Sequence, residues 1–208
     1  PMSLATNPKP NVMFILDDSG SMTQDYMPDD LNGAPTHGML SAWCNGVAFD
    51  PNEEYPAPPK ADGSSSGDST FTAAWTDGFA RTGAVSLAGS TYYVFNDSTA
   101  TPRDWRYDVN GNVDTSSDTY RYCMNRSESG RFTSVTIEAT STLAQKYANW
   151  YSYYRTRQLA MRSAAGKAMR GVGAEIRLGF TRISDSTSSG SRFLGTGEFS
   201  GTQRSSFY

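Results

Sequence analysis

The sequence predicts an α/β fold built on a doubly wound sheet, with a large β-rich insertion after the first strand. Three observations carry this reading. The run Asn11-Val12-Met13-Phe14-Ile15-Leu16 is apolar without alternation, as in a strand covered on both faces of a parallel sheet, and it ends abruptly in the polar stretch Asp17-Asp18-Ser19-Gly20-Ser21-Met22. Helical periodicity begins at Thr142 and is followed by Ala174–Ile183, which alternates as a strand does, so that strand, helix and strand form a β-α-β unit with parallel strands and a right-handed crossover. Between these parts the texture changes to proline clusters, glycine-serine runs and short β-type segments.

The elements follow in order. Residues 1–28 hold the first strand and its polar loop, 29–141 the insertion, and 142–208 a helix, a strand and a following segment. Within the insertion, Thr91–Phe95 and Phe132–Glu138 read as strands, and Asn110-Gly111 between Trp105–Asp108 and Val113 signals a tight hairpin. No helix-period face survives there. Thr142 with Gln145 forms a capping-box pattern, after which Tyr147, Tyr151, Tyr154, Met161, Ala165, Ala168 and Val172 recur at helix spacing, as one helix or as two with a break near Asn149. A weaker strand is expected at Ser191–Leu194, and a helix from Gln203 to Tyr208.

Composition excludes several functions. At 208 residues the chain fits one domain with an insertion. A net charge of -3 leaves no basic excess for a nucleic-acid backbone or an anionic membrane surface. No stretch approaches the roughly 18 apolar residues of a membrane span, and Pro1–Pro10 lacks the basic start and apolar run of a signal peptide, so that an export signal is expected to have been removed or left out. The two cysteines, Cys44 and Cys123, sit in no CxxC or Cys/His cluster; one disulfide in an oxidising compartment is expected, two buried free thiols being the alternative.

Asp17, Ser19 and Ser21 alternate along a loop leaving a buried strand, so in an extended loop their side chains point the same way, at the strand end where open α/β sheets place their ligands. One carboxylate with two hydroxyls is a hard, oxygen-only set, suited to Mg²⁺, Mn²⁺ or Ca²⁺ and leaving the cation under-neutralised. Asp108, Asn110, Asn112 and Asp114 alternate like a calcium loop, but the glycine falls at the fourth position and the hairpin is the better reading. Trp150, Tyr151, Tyr153 and Tyr154 read as packing rather than a stacking surface for sugar or pilin. His37 is the only histidine; no GxSxG surrounds Ser19 or Ser21 and no acid is placed to orient His37, which argues against a hydrolytic triad.

The segment Val12–Met22, VMFILDDSGSM, resembles the first strand and DxSxS element of the von Willebrand factor A domain, a Rossmann-type doubly wound fold. The resemblance implies a metal-ion-dependent adhesion site in which Asp17 acts mainly through water while Ser19 and Ser21 bind the cation directly. That family draws a further Thr and a second Asp from later loops; Thr196 and Thr202 are poor substitutes on order grounds, so the site is expected to be incomplete and the domain truncated at Tyr208. The run NWYSYYRTR from Asn149 to Arg157, with Phe49-Asp50-Pro51-Asn52 and Tyr55-Pro56-Ala57-Pro58-Pro59, is similar to the PilY/PilC family of type IV pilus tip adhesins. This implies a non-enzymatic, exported module at the pilus tip, cell surface or outer membrane, with roles in adhesion, pilus assembly and twitching motility. Its expected partners are minor pilins and a host-cell or abiotic surface ligand. The alternatives are a purely architectural scaffold that caps minor pilins and, third, a metal-dependent hydrolase.

Overall fold

The apolar run and the alternating segment find each other. In the structure, a computed structural model that describes residues 8–184 and 193–208, β1 (Asn11–Leu16) lies parallel to β4 (Arg177–Arg182), with Val12 opposite Leu178 and Phe14 opposite Phe180. β5 (Leu194–Glu198) adds antiparallel to the other edge of β4, giving a small mixed sheet of order β1-β4-β5. The strand expected at Ser191–Leu194 thus starts at its last residue, the earlier part lying outside the described residues at 191 and 192. α5 (Gly201–Phe207) then brings Phe207 edge-on to Phe14 and Phe199, at 5.7 and 5.6 Å between ring centroids. Leu178 and Phe199 are fully buried beneath it.

Strand alternation sends Phe14 and Leu16 to this covered face and Met13 and Ile15 to the other, where they are 41% and 62% exposed. The covering expected on both faces of β1 is therefore met on one. Met13 folds over Gly179, where a Cβ would stand 2.8 Å from its methyl carbon, so glycine there lets the thioether lie flat on the sheet.

The chain forms two compact units. The first comprises residues 1–22, 58–66 and 164–208 and contains the sheet. In it Arg204 donates to the carbonyls of Met169, Arg170 and Val172 at the end of α4 (Arg157–Met169) and to Ala61, closing orphan carbonyls at the helix C-terminus.

The second unit, residues 23–57 and 67–163, holds most of the insertion together with α3 (Leu143–Tyr153). Regular structure is sparse in the insertion: β2 (Thr91–Phe95) pairs antiparallel with β3 (Phe132–Thr136), and the Asn110-Gly111 turn closes a Tyr107–Val113 bridge with Gly111 at φ 82°. Two short helices, α1 (Thr36–Met39) and α2 (Asp118–Met124), correct the expectation of a segment without helix; both are too short for periodicity to reveal, and α2 is set by its Ser117 cap. Cys123 on α2 is bonded to Cys44, across a sequence separation of 79, at the centre of a cluster with Leu31, Phe95 and Phe132.

α3 organises the rest. Tyr147 and Trp150 pack on Phe49 at 5.0 and 5.8 Å in a core that includes Phe71, Leu87 and Tyr92. Polar tips of the same helix and its extension reach loop carbonyls: Trp150 Nε1 donates to Val47, Tyr153 Oη to Gly67, Tyr154 Oη to Pro56, and the Arg155 guanidinium to Thr76 and Tyr151. Buried Asn149 accepts from Ser69 N–H and donates to Asp68, which keeps it helical and moves the expected break from Asn149 to 154–156. There Thr156 Oγ1 accepts from Leu159 N–H and starts α4. The capping box at Thr142 does not form, because Gln145 donates instead to Ser69 and Asn149.

Two outcomes follow. Gly78→Ala would place a Cβ 2.3 Å from Tyr153 Cε1, and urea unfolding should show about 1–3 kcal/mol of destabilisation from overpacking, while Tyr153→Phe should cost only about 1 kcal/mol for its hydrogen bond. Replacing both Cys44 and Cys123 by alanine should destabilise by up to about 4.5 kcal/mol on chain-entropy grounds, with limited proteolysis cutting between Asp50 and Arg121 before Val12–Met22.

Candidate metal centre

Where β1 leaves the sheet the backbone turns through Asp17–Ser19 into a 3₁₀ turn at Gly20–Thr23, closed by Met22 N–H donating to Ser19 O at 2.9 Å. Asp17 Oδ1 accepts from Ser19 N–H at 2.9 Å. The Ser19 and Ser21 hydroxyl oxygens stand 3.0 Å apart. These bonds, first that from the Ser19 amide and then that from its side chain, hold the Asp17 carboxyl below its ordinary 3.8, so it is an anion at neutral pH. The structure thus brings the two serine hydroxyls together and turns the Asp17 carboxylate onto the same short segment.

The donor set fits a small hard cation in part. Six oxygens at about 2.1 Å around Mg²⁺ place adjacent ligands about 3.0 Å apart, whereas Ca²⁺–oxygen bonds of about 2.4 Å place them about 3.4 Å apart. The 3.0 Å Ser19–Ser21 contact is a hydrogen bond between the two hydroxyls, close enough for both to be adjacent ligands of one such ion. Among the described residues no three His, Cys, Asp or Glu side chains gather as a metal site, so a cation here would have to rely on the hydroxyls and on groups beyond this loop. Thr196 lies within β5 and Thr202 in the first turn of α5.

Asp18, which sequence reasoning passed over, points the other way. Its carboxylate accepts from Ser184 N–H at 3.1 Å and from Ser184 Oγ, and pairs with Arg182 Nη1 at 2.9 Å. Ser184 and then Arg182 hold its carboxyl below the ordinary value. The signal was present in the sequence: of two adjacent aspartates at a strand end, alternation sends one to each face.

The remaining candidates resolve structurally. Asp108 accepts from the backbone N–H groups of Asn110 and Asn112 and from the Asn112 side chain, so its carboxylate braces the hairpin turn. His37 is 4% exposed; its Nε2 lies 3.1 Å from Tyr122 O and its ring 4.7 Å from Phe132, within the disulfide cluster. Trp150 and Tyr153 are buried as packing predicts, while half-buried Tyr151 and Trp150 line a cleft of about 320 Å³ with Asp25 and Arg155 at its edge.

The features together describe a mixed α/β protein with an oxygen-rich loop at the carboxyl end of a parallel strand and a disulfide-tied insertion. Over most of its length it is a distant homologue of a pilus protein. The type IV pilus biogenesis factor PilY1 of Pseudomonas aeruginosa strain PAO1 is 30% identical over 97% of this chain and 18% of its own length. PilY1 of strain PAK is 31% identical over 90% of the chain and 17% of the relative, and that of strain UCBPP-PA14 is 32% identical over 86% and 16%. The chain therefore spans less than a fifth of the relatives it matches. No family model matches it, and no solved structure does.

Because hydrogen bonds depress both Asp17 and Asp18, their contribution to loop order is complete above the ordinary carboxylate range and is lost only as pH falls through their own lowered pKa values. Carboxyl-carbon NMR titration should give both midpoints below 3.8; a midpoint at or above 3.8 for either would contradict the hydrogen bonding.

Proposed function

We propose that this chain is a non-enzymatic module of a type IV pilus tip protein, with a von Willebrand factor A-type fold whose Asp17, Ser19 and Ser21 hold a divalent cation. The observation that carries the reading is the 3.0 Å approach of the Ser19 and Ser21 hydroxyls beside an ionised Asp17, at the carboxyl end of a strand parallel to its neighbour, in a chain homologous to PilY1. A bound ion would act as a Lewis acid, taking an anionic oxygen from a ligand or a later loop as its next ligand.

The oxygen-only donor set suits Mg²⁺, Mn²⁺ or Ca²⁺. The disulfide suits an exported protein, and the relatives' name suits a part in pilus biogenesis. Minor pilins at the tip and a host-cell or abiotic surface are the partners we assign. His37 is buried with its Nε2 on Tyr122 O and its ring against Phe132, a packing role that speaks against catalytic use of this histidine.

A second reading, an architectural scaffold, draws on the insertion's tethering by α3 side chains and the disulfide. Adhesion that survives loss of both loop serines would favour it. Calorimetric titration of Mg²⁺, Mn²⁺ and Ca²⁺ should show binding of at least one of them, and Ser19→Ala/Ser21→Ala should weaken it by at least about tenfold. Equal binding by parent and variant would remove the cation reading.

A further inference from the structure

We infer that Asp18 is a positioning residue for the Asp17–Ser21 loop: its carboxylate clasps Arg182 and Ser184 at the end of β4 and so fixes the direction in which Asp17 and Ser19 face. In its ion-binding consequence the inference rests on the cation reading above; in its structural part it stands alone.

The backbone ladder between β1 and β4 pairs Leu16 with Arg182 and ends with Ile183 N–H donating to Leu16 O at 2.9 Å. Beyond that bond the two strands part. Asp18 carries the connection one step further through its side chain, with Oδ1 on Ser184 N–H, and Oδ2 on both Ser184 Oγ and Arg182 Nη1. The Asp18 and Arg182 side chains are 8% and 18% exposed, so the pair is shielded from water and geometrically fixed, unlike an exposed ion pair.

Alternation makes the clasp directional. Residue 18 lies on the face of Leu16 and Arg182, and holding it there turns its neighbours 17 and 19 to the opposite side. The same clasp occupies the second carboxylate of the Asp-Asp pair with Arg182. Only Asp17 then supplies formal negative charge to a cation held by this loop.

The test uses the full chain with Mn²⁺ as the probe, in two arms. Amide hydrogen exchange over residues 19–22, without cation, should be faster in Asp18→Asn and in Arg182→Gln. Mn²⁺ affinity should fall about tenfold in each, as for partners that orient metal ligands. The loss in the double variant should fall short of the sum of the single losses, because both substitutions break one shared ion pair, while Arg182→Gln leaves the two Ser184 bonds of Asp18 in place. Arg182→Lys keeps a cation for Asp18 and should recover most of the affinity lost in Arg182→Gln; that pair of variants decides the test if Asp18→Asn fails to fold. Exchange and affinity both unchanged in folded Asp18→Asn, or additive losses in the double variant, overturn the inference. If the parent binds no Mn²⁺, the cation reading falls, and the exchange arm alone still decides the clasp: faster exchange supports it and unchanged exchange overturns it.

Discussion

The second unit depends on one constraint: backbone carbonyls in an irregular segment must be satisfied by something other than a ladder or a helix. The insertion has few strands, so its carbonyls at Val47, Pro56, Gly67 and Thr76 take their bonds from the tips of Trp150, Tyr154, Tyr153 and Arg155. One short helix and its extension thus anchor four separate loop positions while their rings fill the core. Tyr, Trp and Arg suit this task because each has an apolar or stackable body and a polar end. Phenylalanine in place of the tyrosines or the tryptophan would supply packing but not these hydrogen bonds. Asn149 adds the complementary service, accepting from the Ser69 amide at a site too buried for water to do so.

The disulfide and α3 act on different parts of the same segment. Cys44 and Cys123 join α2 to the Leu31, Phe95 and Phe132 cluster, while the α3 contacts gather Phe49, Tyr92 and the loops around 67–78. The crosslink acts mainly by restricting the unfolded chain, whereas the α3 hydrogen bonds act in the folded state. A segment poor in ladders thereby acquires fixed structure from two independent sources.

What the sequence made legible follows from periodicity. β1, β4 and their parallel pairing were readable because five apolar residues in a row and a ten-residue alternation are long signals. Thr91–Phe95 was readable to the residue because aromatic and β-branched side chains crowd it. α1 and α2 were not, since helices of one or two turns have no face to repeat. The break in the long helix was misplaced because its position depends on what Asn149 bonds, a contact with Ser69 far away in sequence. At the candidate site the three alternating residues were evident, but the partner of Asp18 was not: Arg182 becomes its neighbour only through the β1–β4 register, which no local pattern contains.

That register also sets the electrostatics of the proposed ion loop. Two adjacent aspartates would suggest a doubly charged cradle, yet one is neutralised by Arg182 and the other is left on the face of Ser19 and Ser21. In the proposed reading a divalent ion held by Asp17 and two neutral hydroxyls keeps a net positive charge, so binding of the ion and of an anionic ligand favour each other. By linkage, each tightens the other by the same factor. A cradle with both carboxylates free would bind the ion more tightly alone and would lose much of that coupling. In that reading, withdrawing Asp18 into the clasp would favour ligand-dependent occupancy over simple ion storage, through strand geometry rather than through any change in the ligand residues themselves.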